Sequence, residues 1–429
     1  MDGRLSEGEA ARVDAAVGRL ADDAFTFLER LVASPSTVGQ EQAAQRLVAE
    51  EFDRLGLTVS QVPIPGNIAL DPAASVPQRS YDGRFDVYGT NAAAGEQPRL
   101  LFNGHIDVVP AEDPAVWSND PFVPVVRGGR MYGRGAGDMK CGFAMGSLAL
   151  SALRAAGVEL PGTLGFLSVI EEECTGHGTL AAGRAGILGD AVVLLEPTEL
   201  DLLVAGSGVL WFDVDISSAG GHAESADRSG NPIDSLSMIV EALRALGRSM
   251  QRDWPDAVFD GIENPYNLNI GTVRAGDWNS SVPGRAIAGL RIGFPRSWTP
   301  DMAEKAVGEA VAGAVRDDPW LADHPPVVRS SGLRAEGHAL DPGHPLVRAV
   351  GDAHRSVHGA TPRAFAMGST TDARYYLNQF DRPALCYGPS VRDMHGADES
   401  VDLLSIVNGA RTLTRFIPAF LAGSPGGAL

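Results

Sequence analysis

The apolar residues near the start of the chain follow the spacing of α-helices. Six of them lie three to five positions apart, namely Val13, Val17, Leu20, Phe25, Leu28 and Leu31. A second helical pattern covers residues 41–55. Two later runs, 164–170 and 191–195, lack polar alternation, which is typical of strands buried on both faces of a parallel sheet. Ala-rich helical stretches at 141–156 and 179–185 accompany them, so the pattern predicts an α/β domain with a mostly parallel sheet and helices on both faces.

From about residue 207 the pattern changes. Apolar residues alternate with Trp, Asp, Asp and Ser over 210–217, which indicates an antiparallel strand with one wet face. The patterns that follow are a helix at 232–249, strands at 267–273 and 286–294, and a helix at 300–316. This β-α-β-β-α order resembles a ferredoxin-like, split βαβ sandwich.

After two prolines at 325 and 326 the chain returns to the earlier order, with a helix at 345–358 and a strand near Ala384. The middle segment is therefore predicted to be inserted into the first domain. The predicted division is a first part of one domain at 1–206, an inserted α+β domain at 207–326, and a second part of the first domain at 327–429.

Composition and charge narrow the classes of protein. A chain of 429 residues is long enough for two domains, and 44% hydrophobic with 21% charged residues is typical of a globular protein. The net charge of −19 repels phosphate backbones, so no nucleic-acid partner is expected. The acidic N-terminus and the lack of a long apolar run argue against secretion and against membrane insertion. Three scattered cysteines favour a reducing cytoplasm.

The candidate chemistry lies where apolar runs end. Five segments each lead from apolar residues into His, Asp or Glu: LLFNGHID, GRGAGDMKCG, TLGFLSVIEEE, AVVLLE and ALCYGPSVRDMH. In an open α/β sheet, ligands bind beyond the carboxyl ends of the strands. Histidine nitrogen and carboxylate oxygen in this mixture suggest a metal site without thiolate ligands.

Seven motifs lie along residues 104–400 in the order GHIDVVP, WSNDPFVPVVRGGRMYGRGAGDMKCG, EEECTGHGT, LLEPTE, SAGGHAES, GSTTDARYY and MHGADES. Together they resemble the two-zinc amidohydrolase and peptidase family. That family includes acetylornithine deacetylase, succinyl-diaminopimelate desuccinylase, aminoacylase and glutamate carboxypeptidase. The resemblance implies that the inserted domain is a lid and dimerisation domain, and that the larger domain is catalytic.

The resemblance also implies a ligand set for two divalent metal ions, with zinc as the first choice and cobalt or manganese as alternatives. His105 and Glu196 would bind one ion, His395 and Glu173 would bind the other, and Asp138 would bridge the two. A shared carboxylate offsets the repulsion between two cations held about 3.5–4 Å apart.

Two further acidic residues receive roles from the motifs. Asp107 would accept the second ring N–H of His105 and so fix its tautomer. Glu172 would be the general base that takes a proton from water and delivers it to the leaving amine. The triplet at 171–173 leaves one alternative, because a shift of one residue would move both the base and the ligand.

The inserted domain supplies the remaining candidates. The resemblance implies that His222 reaches the site of a partner subunit and stabilises the oxyanion, which requires a homodimer. Asn279 and Ser280 lie where relatives contact the substrate. Relatives often carry Asn three residues before a proline, and in this chain Ser280 takes that place, beside Asn279. Arg291 could bind a substrate carboxylate, or it could be exposed or ion-paired. Gly368 begins the GSTTDARYY motif and is a fourth substrate-contact candidate.

These residues favour a cytoplasmic, dimeric hydrolase of amide bonds that uses a hydroxide bridging the two ions. Its predicted substrate is a small N-acyl amino acid or related N-acyl amine, so that it would resemble a deacetylase or desuccinylase. Two alternatives stay open. The same site could cleave dipeptides or C-terminal residues, or the scaffold could serve a non-hydrolytic ligand-binding or biosynthetic protein.

Overall fold

The structure is a computed structural model that describes residues 3–316 and 318–423. The α-helices found there are α1 (Glu7–Val32), α2 (Gln42–Arg54), α3 (Lys140–Ala155), α4 (His177–Arg184), α5 (Pro232–Asp253), α6 (Pro300–Arg316), α7 (Pro319–Asp323), α8 (Pro345–His358), α9 (Ala373–Gln379) and α10 (Leu403–Ala422). The helices predicted from apolar spacing are confirmed. Across these two described stretches, no helix has both the length and the apolarity that a bilayer crossing needs.

The β-strands are numbered in chain order: β1 (Thr58–Pro63), β2 (Phe85–Thr90), β3 (Leu100–His105), β4 (Val125–Arg127), β5 (Arg130–Tyr132), β6 (Leu164–Val169), β7 (Ala191–Leu194), β8 (Leu202–Gly206), β9 (Gly208–Ser217), β10 (Gly221–His222), β11 (Leu268–Ala275), β12 (Ser281–Val282), β13 (Arg285–Phe294), β14 (Val327–Ala335), β15 (His338–Ala339), β16 (Ala364–Met367), β17 (Ala384–Cys386), β18 (Val391–Arg392) and β19 (Ser400–Asp402).

The largest sheet has nine strands in the order β1-β2-β6-β3-β7-β17-β8-β15, with β16 paired to β8. Its centre is parallel, because β3 pairs in parallel with β6 and β7, and β17 pairs in parallel with β7. Antiparallel pairs join β1, β2 and β6 on one side and β17, β8 and β15 on the other. The α/β class is confirmed, although the sheet is mixed rather than mostly parallel. The continuous apolar runs read in the sequence form only its buried centre.

Helices cover both faces of this sheet. One apolar core joins alternate residues of β3 and β6, such as Phe102 and Phe166, to α1, α2, α3, α8 and α10. The neighbouring residues Leu101 and Leu167 point to the opposite face, where they join α4 and α9. Strands buried on both faces have little need for polar residues, which explains the apolar runs.

The smaller sheet contains four antiparallel strands in the order β11-β13-β9-β14. One face of it packs against α5 and α6 through an apolar core that includes Phe212, Ile239, Leu290 and Val307. The chain order β9-α5-β11-β13-α6-β14 is β-α-β-β-α-β, which is that of a ferredoxin-like unit. Residues on its other face, such as Trp211 and Arg291, line a cavity together with Glu173 and Glu196 of the larger domain.

Strand β14 affects the predicted domain division. The predicted division places 327–429 in the second part of the larger domain, whereas residues 327–335 pair with β9 in the smaller sheet. A fourth strand completes the β-α-β-β-α-β unit, so this strand goes with the inserted segment. The proline pair at 325 and 326 precedes this last strand instead of the return to the larger domain.

A third sheet, β18-β19-β5-β4, lies beside the large one. Here β19 pairs with both β5 and β18, which brings a segment near residue 400 against a segment near residue 130. We call this the accessory sheet.

Candidate metal centre and active site

Three predicted metal ligands meet at one edge of the large sheet. His105 is the last residue of β3, Glu173 follows β6, and Glu196 follows β7. Because β6 and β7 flank β3 and run parallel to it, their carboxyl ends lie side by side. The local sequence pattern, an apolar run followed by a polar residue, therefore places three ligand side chains together.

The other two ligands arrive through the accessory sheet. Asp138 lies between β5 and α3, and His395 lies in the loop between β18 and β19. The pairing of β19 with both β5 and β18 holds these two loops next to each other. Gly142 lets the start of α3 approach the Leu195 carbonyl, where a Cβ atom would overlap the oxygen.

Asp138 lies between the two imidazoles. Its Oδ1 is 3.0 Å from His105 Nε2, and its Oδ2 is 3.3 Å from His395 Nε2. His395 Nε2 is also 3.2 Å from Glu173 Oε1, and His105 Nε2 is 3.7 Å from Glu196 Oε2. The five residues thus divide into His105 with Glu196 and His395 with Glu173, around a shared Asp138. Ligand atoms of His105, Asp138 and Glu173 all lie within 4.8 Å of one another.

The pKa values of the clustered side chains indicate a site that positive charge would stabilise. Burial raises the pKa of Glu196 to about 8, and the nearby carboxylates of Asp138 and Glu173 add to the effect. Burial alone would lower the pKa of His395, but Glu173 and Asp138 raise it to about 11. Several carboxylates withdrawn from water in a small volume are stabilised by nearby positive charge. The donors are imidazole nitrogens and carboxylate oxygens, which suit zinc or another divalent ion.

The tautomer of His105 is fixed differently from the expectation. Its Nδ1 donates to the backbone carbonyl of Asp107 at 2.9 Å, and the Asp107 carboxylate is 3.7 Å away. A carbonyl only accepts hydrogen bonds, so Nδ1 carries a hydrogen, and Nε2 is the ring nitrogen that would bind a metal ion beside Asp138.

The Asp107 carboxylate instead holds the acidic triplet. Its two oxygens accept the backbone N–H groups of Glu172 and Glu173 at 3.3 and 3.2 Å. Burial raises the pKa of Asp107 to about 8. The predicted partnership of this carboxylate with the His105 ring is therefore corrected. It positions the proposed base and a ligand through their backbone.

The side chains of the triplet point in different directions. Glu171 is fully buried and accepts hydrogen bonds from Tyr81 and Thr175, both at 2.6 Å, and from Arg84. Glu172 and Glu173 both line a cavity beside the metal cluster, which we call the main cavity. Burial raises the pKa of Glu172 well above the usual value for a glutamate. This arrangement favours Glu172 as the base and Glu173 as the ligand over the alternative shifted by one residue.

A buried ion pair that the motifs did not reveal ties the ligand loops together. Glu399 accepts the N–H groups of Gly137 and Asp138 at 2.8 and 2.9 Å and pairs with Arg134 at 2.5 Å. Arg134 also donates to the His395 carbonyl at 3.1 Å. Both side chains are almost fully buried. Glu399 lies in the quoted MHGADES motif, but only the fold shows that its carboxylate faces Asp138.

The main cavity, of about 850 Å³, lies between the metal cluster and the open face of the smaller sheet. Arg291, on β13, lines it and donates to the Gly368 carbonyl at 2.8 Å and to Asn267. Burial lowers the pKa of Arg291 to about 10. No carboxylate within the described ranges pairs with this guanidinium. Gly368 also lines the cavity, so two of the four substrate-contact candidates are in place.

The other candidates from the inserted segment lie elsewhere. His222 is exposed on β10, where it pairs with Ser281 of β12, and its Nδ1 accepts the Glu224 N–H at 3.2 Å. Asn279 and Ser280 form the exposed turn before β12, and the Ser280 carbonyl accepts the N–H of the residue after His222. We call β10, this turn and β12 the His222 ribbon; α5 and β11 lie between its two strands in the chain. Within one chain, the ribbon does not line the cavity.

Imidazole and carboxylate groups clustered beside a cavity, with Glu172 lining that cavity next to them, fit the class of metal-dependent hydrolases. Residues 101–419 match the family model described as Peptidase family M20/M25/M40. The match covers well over half of the chain, and this chain belongs to that family. It is a hydrolase of amide bonds, and the resemblance carried by the motifs is confirmed.

Two curated relatives cover most of the chain. Succinyl-diaminopimelate desuccinylase of Methylobacterium sp. (strain 4-46) is 31% identical over 418 residues, which are 94% of this chain and 97% of the relative. N-formyl-4-amino-5-aminomethyl-2-methylpyrimidine deformylase of Bacillus subtilis (strain 168) is 27% identical over 350 residues, 77% of this chain and 80% of the relative.

Solved structures share the fold. The dipeptidase Dug1p from Saccharomyces cerevisiae superposes with a TM-score of 0.80 at 17% identity, covering 98% of this chain and 100% of that one. Human carnosine dipeptidase 1 gives a TM-score of 0.74 at 19% identity, covering 96% and 99%. At these identities the likeness concerns the fold alone.

Proposed function

We propose that this hydrolase removes the acyl group from N-acyl amino acids or related small N-acyl amines. Two divalent ions, zinc first, would be held by His105 with Glu196 and by His395 with Glu173, with Asp138 between them. Bound there, the ions would acidify a water molecule and polarise the substrate carbonyl. The placement of Asp138 between two imidazoles, 3.0 and 3.3 Å away, is the observation that carries the proposal.

The chain's own residues would handle the proton and the substrate. Glu172 would take the proton of the attacking water and deliver it to the leaving nitrogen. Its raised pKa suits this exchange, because a carboxyl with an ordinary pKa holds a proton too weakly near neutral pH. Arg291 has no carboxylate partner within the described part of the chain and faces the cavity, so it would bind a substrate carboxylate.

We further propose a homodimer in which the His222 ribbon of one subunit completes the site of the other. Its residues His222, Asn279 and Ser280 are exposed, and none of the three lines the cavity of its own chain. Strand β11 is an edge strand with exposed apolar residues, Ile270 at 37% and Val273 at 53% exposure, which is a surface suited to pairing with a second copy. The three cysteines are buried and unpaired, which fits a cytoplasmic location.

The proposal is tested by a metal assay combined with a substrate panel. The panel contains N-acetyl, N-succinyl and N-formyl amino acids together with dipeptides, so that it also separates deacylase from dipeptidase activity. Hydrolysis should stop after exhaustive chelation and return with zinc or cobalt. Turnover that persists in protein shown to contain no metal would exclude the mechanism.

A further inference from the structure

The open face of the smaller sheet forms one wall of the main cavity, and its charged residues follow a register. Arg291 on β13 lies opposite Trp211 on β9, and the next pair on the same face of the sheet is Gly289 opposite Asp213. Trp211, Asp213, Gly289 and Arg291 all line the cavity. Residues directly opposite each other, or two apart on one strand, share a face of the sheet. Arg291 and Asp213 are therefore diagonal neighbours on this wall.

Neither the Arg291 guanidinium nor the Asp213 carboxylate forms an ion pair with another described side chain. Asp213 makes no side-chain hydrogen bond or ion pair with any described residue. The nearest candidate cation, Arg329, lies opposite Asp213 on β14, but its guanidinium is directed to Asp215 at 3.9 Å. Diagonal neighbours have Cα atoms about 7–8 Å apart, so Arg291 and Asp213 are close without forming an ion pair.

The space between the two charges is kept open. A Cβ atom at Gly289 would lie 2.7 Å from Thr272 Oγ1 and 3.6 Å from Asp213 Oδ1. The missing side chain leaves room over the wall for a small polar group, with the Thr272 hydroxyl beside it. A carboxylate that lines a cavity and has no partner is stabilised by a cationic ligand group.

We propose that the substrate carries an α-amino acid zwitterion on the part that lies against this wall. Its carboxylate would bind Arg291 and its ammonium would bind Asp213, which makes Asp213 a specificity-determining residue. This inference rests on the proposed function. The zwitterion could belong to the amine half, as in an Nω-acyl diamino acid, or to the acyl half, as in a γ-glutamyl amide.

Two matched substrate pairs separate these sources. The first pair is an Nω-acetyl diamino acid and the same molecule with hydrogen in place of the ammonium. The second pair is a γ-glutamyl amide and the corresponding glutaryl amide. For one pair, the wild-type kcat/KM should be about tenfold or more higher for the ammonium-bearing member, as one charged hydrogen bond allows. The pair that shows this preference identifies the half that carries the zwitterion.

Variants then assign the preference to the residue. D213N should remove most of the preference, because it should slow hydrolysis of the ammonium-bearing member far more than hydrolysis of the neutral member. D215N is the matched control, because Asp215 lies on the same strand, pairs with Arg285 at 2.6 Å and does not line the cavity. It should keep the preference. Equal wild-type rates within both pairs would overturn the inference, as would a D213N variant that slows both members equally.

The proposed function can fail separately. If no amide in the panel is hydrolysed by the metal-loaded enzyme, deacylation is excluded, and calorimetric titration of the same uncleaved pairs still decides the inference. Tighter binding of the ammonium-bearing member that D213N abolishes supports it, and equal binding of both members overturns it.

Discussion

The proposed metal centre and the His222 ribbon carry the two groups of residues assigned to catalysis, and they differ in how their side chains are held. In the first group, His105 and Asp107 are almost fully buried, and His395 is exposed but its Nε2 lies 3.3 Å from Asp138. His222 is also exposed, but its hydrogen bonds run to nearby residues of the smaller domain and not to the proposed ligands. A single chain therefore brings the first group together, whereas His222 acquires a role in catalysis only if another molecule covers it.

This comparison suggests that the two parts of the site form at different stages of assembly. The metal centre requires only that the chain folds, because strand ends and the accessory sheet bring its ligands together. Stabilisation of the oxyanion would require a second copy. The two parts can be tested separately, since substitutions in one should leave the other intact.

The largest effect is expected from Glu172→Gln. Loss of the general base should lower kcat by about 10²–10⁴. Because the Glu172 side chain is assigned no metal, the metal content should stay at two ions per chain, as measured by elemental analysis. Loss of metal together with activity would instead support the register shifted by one residue. Glu173→Gln is the matched variant and should lose metal.

His222→Ala should lower kcat by about 10²–10³, the usual cost of removing one oxyanion donor, without loss of metal. Mixing this variant with Glu172→Gln sharpens the comparison. Mixed dimers would contain one complete site, so random reassortment should restore about a quarter of the wild-type activity. If the mixture stays inactive although subunits exchange, His222 of the ribbon does not act in the partner's site.

Glu399→Gln tests how the fold holds the ligand loops. The amide cannot neutralise Arg134, and it accepts more weakly from the Asp138 N–H, so metal affinity should fall by about 10–100-fold. Competition with a chromophoric chelator measures this affinity. The neighbouring Asp398→Asn is the control, since Asp398 is partly exposed and its carboxylate accepts hydrogen bonds from the Ser118 N–H and hydroxyl rather than from the ligand loops. Equal effects of the two variants would contradict the role of the buried pair.

The smallest effect concerns the region behind the acidic triplet. His177 Nε2 accepts the Ser75 N–H at 3.0 Å, so Nδ1 carries the hydrogen toward Tyr81. Burial lowers the pKa of His177 to about 4. This value lies below the unfolded value of about 6.5, so the stabilisation is complete above pH 6.5 and is lost as the pH falls toward 4.

Denaturant unfolding between pH 4 and 8 checks this expectation. The difference in unfolding free energy between wild type and His177→Gln should shrink by on the order of 1–3 kcal/mol as the pH falls, because glutamine does not titrate. A difference that is the same at every pH would show that His177 is not held neutral.

Much of the architecture could be predicted from local patterns. The helices at 41–55 and 345–358 and the strands at 164–170 and 191–195 are confirmed within one or two residues. Apolar periodicity reports burial directly, and the central strands are buried on both faces. The antiparallel pairing at the sides of the large sheet was not predicted, because strand direction depends on how distant segments pack; β8, for example, is as fully buried as the parallel centre.

The sequence by itself determined which residue types end the central strands, and so which donors are available for metal, because an apolar run followed by His or Glu is a local feature. Tertiary structure alone decided where the Asp107 carboxylate points, that β14 belongs to the smaller sheet, and that Glu399 holds Asp138 from 261 positions away. It also left the Asp213 carboxylate without a hydrogen-bond or ion-pair partner among the described residues. Such contacts depend on how distant segments pack, and no local pattern of apolar and polar residues records them.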